Sequence, residues 1–279
     1  MSSSSWTPVK ALVGASRRSF SAKAGAGGIS GPRITGALRF YKDVGVQDVD
    51  APLGYRYAVT LDSKTVKTPK QQPLRLPTRA MAFAVAHEWD AQKHDIRPAT
   101  MPIMTLASTA LDLLLTSSSQ EAIDEMMHYL HTDTVCYQVT LDQQEQLVAL
   151  QQKKWKPIRK WFSDTFGGGD VDVSHGGINP LTHDEQLVAN VRAYLEKLND
   201  FELAAARTLT KECKSLITAL AVFTRHITTK EAIDVCRLEE EFQITNWGVV
   251  EGGHDLDRVN CAVKLSSASL LLYLLENKD

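Results

Sequence analysis

The sequence predicts an α+β fold, in which a small N-terminal domain with an antiparallel sheet and helices is followed by an all-helical C-terminal domain. Three observations support this class. Apolar and polar residues alternate with a period of two only between residues 40 and 76, which indicates short strands. From residue 79 onward, apolar residues recur at helical spacing. The chain has 279 residues, 43% of them hydrophobic, and is therefore long enough for two cores.

The first 42 residues differ from the rest of the chain in charge. They hold seven of the 31 basic residues and none of the 33 acidic ones, so the remaining chain carries a net charge of about −9. A segment rich in Ser, Ala, Arg and Gly and free of acids is typical of a mitochondrial presequence. Arg18-Ser19-Phe20-Ser21 resembles an arginine-plus-aromatic processing site. We expect residues 1–36 to be a presequence and linker, cleaved near Phe20, and the mature protein to enter the mitochondrial matrix; the alternative is a disordered tail.

Composition excludes several classes of function. An acidic body argues against nucleic-acid binding, because phosphates favour a basic surface. No uninterrupted apolar run approaches the ~18–20 residues of a membrane span; the closest, residues 265–275, is predicted to be a buried terminal helix. The four cysteines are dispersed and have no histidine at metal-ligand spacing, which favours a core role and predicts no metal site.

The N-terminal domain is predicted to span residues 37–131. Tyr55, Tyr57, Val59 and Leu61 alternate with more polar residues, as in a half-buried strand. Residues 62–64 then supply a tight turn into a second strand, and prolines bracket a short edge strand at residues 74–76. Thr78 is a suitable N-cap for the first helix. Helices are predicted over residues 79–94, 104–115 and 119–130.

The C-terminal domain is predicted to span residues 132–279 and to be helical throughout. A helix over residues 143–166 contains Pro157, which predicts a kink, and a glycine run ends it. Further helices are predicted over residues 183–198, 201–224, 229–245 and 255–275. No internal repeat interrupts this series.

The glycine-rich stretches do not have the sequence of a nucleotide-binding loop. Neither residues 167–169 nor residues 176–177 precede the Lys-Ser/Thr pair that a phosphate loop requires. A dinucleotide fingerprint, G-x-G-x-x-G between strand and helix, is also missing. Turn formation explains these glycines better, and we expect no cofactor.

Most residues with possible catalytic chemistry have a structural explanation. His131 and Asp133 lie close together, but no nucleophile elbow accompanies them, so a turn and cap are favoured. Four tryptophans follow apolar stripes and are more often core residues than ligand platforms; they are Trp89, Trp155, Trp161 and Trp247.

The segment from residue 238 to residue 255 combines an apolar edge, three consecutive carboxylates and a His-Asp pair. Because successive helical residues turn by about 100°, the carboxylates of Glu239 and Glu240 are expected to point sideways and outward when Leu238 and Phe242 face inward. His254-Asp255 is predicted to begin the next helix after a glycine pair. The residues alone leave three interpretations open: a solvated helix face, a catalytic site, or an acidic docking surface beside an aromatic anchor.

An ordered series of sequence blocks resembles one family, the chaperones known as mitochondrial ATP synthase F(1) complex assembly factor 2. The blocks follow the family order from residue 39 to the C-terminus, although the chain has Gly252-Gly253 where the family often has an aromatic residue and Ala. They are Arg-Phe-Tyr-Lys at 39–42, Leu-Asp-Ser-Lys-Thr-Val-Lys-Thr-Pro at 61–69, Ala-His-Glu-Trp-Asp-Ala-Gln at 86–92, Thr-Asp-Thr-Val-Cys-Tyr at 132–137, Trp155 with Pro157, Ile158 and Trp161, and the segment 238–255.

The resemblance implies a chaperone rather than an enzyme. It implies that the chain holds the unassembled alpha subunit of the F(1) head without ATP, promotes its assembly with beta, and is a monomer when free. The partner-binding residues expected from it are Glu240, Trp247, Glu251, His254 and Asp255. The alternative from a different class is a matrix hydrolase that uses Glu240, Glu251 and His254, and a third is a scaffold for another client.

Overall fold

A computed structural model of the chain describes residues 37–49, 55–114, 119–177, 179–250 and 252–277. The predicted presequence and linker, residues 1–36, lie outside these ranges, as does Glu251 of the predicted site. The chain from Arg33 to Asp279 forms one compact unit.

The sheet is small and antiparallel, as predicted. Its strands are β1 (Val44–Asp48), β2 (Tyr57–Leu61), β3 (Lys64–Thr65) and β4 (Arg75–Leu76), and β2 pairs with each of the other three. Asp62 and Ser63 join β2 to β3 with φ of 47° and 67°. Positive φ at both central residues is the signature of a turn whose twist matches that of the flanking strands.

The central strand is more buried than the sequence alternation suggests. A period of two predicts one exposed face, but Ala58, Val59, Thr60 and Leu61 are all buried. Helix α1 (Arg79–Asp90) packs against β2. The strands β1, β3 and β4 flank β2 on both of its edges. The alternation therefore identified the strand correctly and understated its burial.

Helices form the rest of the described chain, together with two short 3-10 turns and a two-stranded parallel ladder. The remaining elements are α2 (Pro102–Leu114), α3 (Ser119–His131), β5 (Tyr137–Gln138), α4 (Leu141–Phe166), β6 (Ser174–His175), α5 (Glu185–Leu195), α6 (Asp200–Cys213), α7 (Leu216–Phe223), α8 (Thr229–Cys236), α9 (Leu238–Trp247) and α10 (His254–Glu276).

Two helices predicted as continuous are each divided in the structure. The predicted helix 201–224 is divided into α6 and α7. Lys214, with φ of 50°, caps the end of α6, and Ser215 caps the beginning of α7 by accepting a hydrogen bond from the Thr218 amide. The predicted helix 229–245 divides at Arg237 into α8 and α9. In α4 the helix continues through Pro157, and the irregular residue is instead Gln144. Apolar periodicity persists across such breaks, which is why it did not reveal them.

Thr78 links the beginning of α1 to the end of α10. Its side chain accepts a hydrogen bond from the Met81 amide, as the N-cap prediction requires, and its hydroxyl donates to the Leu274 carbonyl of α10 at 2.8 Å. One hydrophobic cluster accordingly combines the sheet, α1 and α2 with α6 and α10, and a second combines α3, α4, α5 and α7. The core therefore extends across residues 131 and 132, where the sequence predicts a domain boundary.

α10 is long and apolar enough, by length and composition, to cross a membrane, and is the one helix of the described chain that meets this test. The sequence argument considered only uninterrupted apolar runs, whereas α10 passes on its mean hydropathy although polar residues interrupt it. The inner face of α10 packs against α6 and α2 in the core. Because the core helix of a soluble protein passes the same test, length and composition are weak support for a membrane span.

Glu88 in α1 holds the beginning of α2. Its two carboxylate oxygens accept hydrogen bonds from the Ile103 and Met104 amides at 2.8 and 2.7 Å. These donors lie at a helix N-terminus, where a carboxylate is favoured. Burial opposes this effect and raises the pKa of Glu88 to about 7.

The raised pKa predicts that part of the stability is lost as pH rises. The folded state holds the Glu88 proton up to about pH 7, whereas the unfolded state releases it near its ordinary pKa. Folding stability from this group is therefore present at low pH and falls as pH rises to about 7, by roughly 1–3 kcal/mol. Urea denaturation between pH 5 and pH 7.5 measures how steeply the free energy of unfolding falls with pH. Glu88→Gln should remove the part of this slope that Glu88 causes. An identical slope in Glu88→Gln would contradict the prediction.

Candidate functional site

Helix α9 and the connection that returns from it to the beginning of α10 form a hairpin whose turn depends on glycine. α9 ends at Gly248, which has φ of 90°, and Gly252 has φ of 74° shortly before α10 begins. A Cβ at either glycine would meet no atom within 4 Å, so backbone conformation and not lack of space favours glycine there. We call residues 245–250 and 252–253 the hairpin tip.

Arg237 fixes the base of this hairpin. Its guanidinium contacts the Glu240 carboxylate at 2.6 Å and the Glu241 carboxylate at 3.4 Å, and donates to the His254 carbonyl at 3.3 Å. The Arg237 side chain is only 7% exposed, and Arg258 of α10 pairs with Glu241 from the other side. The beginnings of α9 and α10 are thus joined by a buried cation that the sequence interpretation did not identify, although it lies only two positions before the first of the three carboxylates.

The three consecutive carboxylates all have partners within the protein. Glu239 accepts a hydrogen bond from the Gln151 side-chain amide of α4 at 2.7 Å, and burial raises its pKa. Glu240 and Glu241 bind Arg237. Glu239 and Glu240 are expected from the sequence to point sideways and outward; they do lie at the side of the helix, but α4 and Arg237 lie beside them and leave both half-buried.

Trp247 is 72% exposed. The expectation that it is a core residue is wrong, whereas Trp89 and Trp155 are buried as expected. The apolar spacing that suggested burial continues to the end of α9, but every residue from 245 to 250 is exposed. Val249 and Val250 are also exposed, so the tip presents several apolar side chains.

The structure brings some of the predicted site residues together. Arg237 links the Glu240 carboxylate to the His254 backbone, and His254 Nδ1 accepts a hydrogen bond from the Val250 amide at 3.2 Å. Asp255 is exposed and has no ion-pair partner among the described residues. Glu251 lies outside the described residues, so its place relative to the other four stays a prediction.

The arrangement does not favour the hydrolase alternative. The Glu240 carboxylate is occupied by Arg237, and the His254 Nδ1 acceptor is occupied by a backbone amide. A general base needs a free acceptor within reach of a substrate proton. Within the described ranges, no three His, Cys, Asp or Glu side chains are grouped so that they hold a metal ion. What the hairpin does offer is exposed apolar side chains above a base that Arg237 holds.

Comparison with known proteins relates this chain to one family. A family described as ATP12 chaperone protein matches residues 38–163. The mitochondrial protein atp12 of Schizosaccharomyces pombe is 25% identical over 229 residues, with 78% of each chain covered. The mitochondrial protein ATP12 of Saccharomyces cerevisiae is 22% identical over 256 residues, covering 78% of this chain and 79% of the yeast protein.

A crystal structure extends the match beyond residue 163. The structure of Atp12 from Paracoccus denitrificans has 30% sequence identity and a TM-score of 0.75, covering 86% of this chain and 98% of the bacterial one. The shared fold therefore includes the helical half as well as the sheet, and the α+β class predicted from the sequence is confirmed. The chain belongs to the ATP12 family of chaperones.

Proposed function

We propose that this chain binds the unassembled alpha subunit of the mitochondrial F(1) ATP synthase head, without using ATP, and promotes its assembly with beta. As a member of the ATP12 family it is a chaperone of ATP synthase assembly. The finer statement draws on the sequence resemblance, and independence from ATP draws on the missing phosphate-loop sequence. A free subunit exposes surfaces that its neighbours later cover, and such apolar patches promote aggregation.

The observation that carries this proposal is the exposed apolar hairpin tip. Trp247 is 72% exposed and lies beside exposed Val249 and Val250, while Arg237 holds the base of the hairpin. Exposed tryptophan on a rigid support is the type of residue that dominates binding energy at protein interfaces. Glu240, His254 and Asp255 adjoin this tip, and we propose that they and Glu251 form the rim of the client-binding surface.

The charge of the protein favours a client with basic regions. The chain beyond residue 42 carries a net charge of about −9. Complementary potentials raise association rates more than final affinity. Fast association and moderate affinity suit a chaperone that must release alpha when beta arrives.

Trp247→Ala tests the proposal. Loss of an interface tryptophan is expected to cost about 2 kcal/mol of binding, roughly 30-fold in affinity. Because the side chain is exposed, the free energy of unfolding should change by less than ~0.5 kcal/mol. Binding of purified alpha subunit and the soluble fraction of co-expressed alpha are the two measurements.

Leu141→Ala is the matched control, since Leu141 is a 69% exposed apolar residue on α4. It should bind alpha normally. Glu240→Lys is expected to let alpha aggregate, but the new lysine also faces Arg237, so Glu240→Gln is needed to separate charge reversal from loss of the ion pair. Equal affinity for alpha in Trp247→Ala and Leu141→Ala would exclude the hairpin tip as the docking site.

We also propose that the protein acts in the mitochondrial matrix. The related proteins of both yeasts are named as mitochondrial, and the acid-free leader supports import. N-terminal sequencing of the protein from purified mitochondria should find a start at or after Ser21. An intact Met1 in protein purified from the matrix would contradict processing.

A further inference from the structure

α10 has a second apolar face that the core does not cover. Its inner face is buried, but five large apolar residues on the outside are between 41% and 60% exposed. These residues and Ser266 are spaced alternately by three and four positions. We call them the α10 seam: Leu256, Val259, Val263, Ser266, Leu270 and Tyr273.

The spacing of the seam is that of a helix that pairs with another helix. Alternating steps of three and four residues are the a and d positions of a heptad, which form a narrow stripe suited to one partner helix. From Leu256 to Tyr273 the stripe is about 26 Å long. It begins at Leu256 in the first turn of α10, shortly after the hairpin tip ends in the sequence.

The charges beside the seam disfavour a second copy of this chain. Asp255 and Asp257 are exposed and have no ion-pair partner among the described residues, whereas Arg258 and Lys264 are paired with Glu241 and Glu212. Parallel pairing of two copies would bring the free aspartates together. Antiparallel pairing would place them near Glu276 and Arg225, which already pair with each other, so neither arrangement offers the aspartates a free cation. The same carboxylates disfavour an anionic membrane surface.

We infer that the α10 seam binds one amphipathic α-helix of the client, with apolar residues at heptad spacing and basic residues beside them. This inference rests on the proposed function, because the client is the alpha subunit. It adds the secondary structure, the charge and the length of the segment that is bound. The free aspartates at the beginning of α10 would then meet the basic residues of that helix.

Photo-cross-linking distinguishes a helix from an extended strand. p-Benzoylphenylalanine replaces Leu256, Val263 or Leu270, one at a time, in the full chain co-expressed with alpha subunit. These positions are seven residues, or about 10.5 Å, apart. A helical partner should show cross-links that advance by about seven residues of alpha at each step, whereas a strand would advance by about three. Phe83 on α1, also exposed, is the control position and should not cross-link to alpha.

Polar substitution provides a second measurement. The double variant Val259→Gln/Val263→Gln removes two apolar side chains from exposed positions, so its melting temperature should match that of the parent. We expect at least a tenfold loss of affinity for alpha, and no loss with Leu141→Gln.

The outcomes separate this inference from the proposed function. If the parent chain does not bind alpha, the proposed function fails and the inference fails with it. If the parent binds alpha but the cross-links advance by three residues, join two copies of the chain, or do not form, only the helical partner is overturned. Unchanged affinity of Val259→Gln/Val263→Gln for alpha would also overturn the binding of a helix by the α10 seam and leave the proposed function standing.

Discussion

Trp89→Arg is expected to lower the free energy of unfolding by at least ~4 kcal/mol, because it combines lost packing with an unpaired buried charge. Trp89 is 2% exposed, and its ring packs edge-on against Tyr41 at 5.6 Å between centroids. The Tyr41 hydroxyl donates to the Trp89 carbonyl at 2.6 Å. Loss of the indole therefore weakens the contact between α1 and the segment that leads into β1.

The position is also close to an existing cation. The Arg39 guanidinium lies 4.7 Å from the centre of the Tyr41 ring and donates to the Asp90 and Gln92 carbonyls. A second guanidinium at residue 89 would lie next to the same Tyr41 ring, and the two cations would repel each other. Since globular proteins are stable by only about 5–15 kcal/mol, we expect a large fraction of the variant to be unfolded.

Trp89→Phe is the matched control. The Trp89 indole N–H has no hydrogen-bond partner within the described part of the chain, so phenylalanine loses no hydrogen bond there. It keeps a ring against Tyr41 and should cost about 1–2 kcal/mol. Chemical denaturation of both variants gives the comparison. A melting temperature of Trp89→Arg within two degrees of the parent would refute the argument.

The sequence predicted the features of the fold that depend on local patterns. Strand alternation located β2, the predicted turn at residues 62–64 located the β2–β3 hairpin, and Thr78 marked the beginning of α1. The helix breaks at Lys214 and Arg237 were missed because neither residue is a typical helix terminator. Their conformations depend on the elements packed around them, which a single sequence does not reveal.

The functional surface was predicted less completely, and for a different reason. The resemblance to a family pointed to the α9–α10 segment, but Arg237 became important only because the chain folds back so that His254 reaches it. Three dispersed cysteines likewise converge where α6, α8 and α10 meet, and Cys236 Sγ lies 4.0 Å from Cys261 Sγ. The exposed face of α10 was not predicted because a helix that is apolar on both faces is usually buried on both.

Asp133→Ala is the second variant for which we expect a large loss of stability. Asp133 is completely buried at the beginning of the helical half of the chain. One carboxylate oxygen accepts a hydrogen bond from the Val135 amide at 3.2 Å, and the other accepts one from the Ile217 amide of α7 at 3.0 Å. The sequence predicted a turn and cap at Asp133, and its side chain does cap the following 3-10 turn.

Removal of this side chain leaves two buried amides without acceptors. Each unsatisfied buried donor costs about 1–3 kcal/mol, so Asp133→Ala should lower the free energy of unfolding by roughly 3–5 kcal/mol. Asp133→Asn keeps one acceptor oxygen but turns an NH2 group toward one of the two N–H donors. We expect Asp133→Asn to lower the free energy of unfolding by about half as much as Asp133→Ala.

The pH dependence of the Asp133→Asn variant tests the electrostatic part of the argument. Burial raises the pKa of Asp133 to about 7 despite its hydrogen bonds, so the parent retains this proton on folding and loses stability as pH rises from about 4 to 7. Asparagine does not titrate, and the stability difference between parent and Asp133→Asn should therefore narrow over that range. Urea denaturation of both proteins at pH 5, 6 and 7 measures the difference. A gap that widens with pH would mean that the ionised carboxylate, and not its protonated form, is favoured in the folded protein.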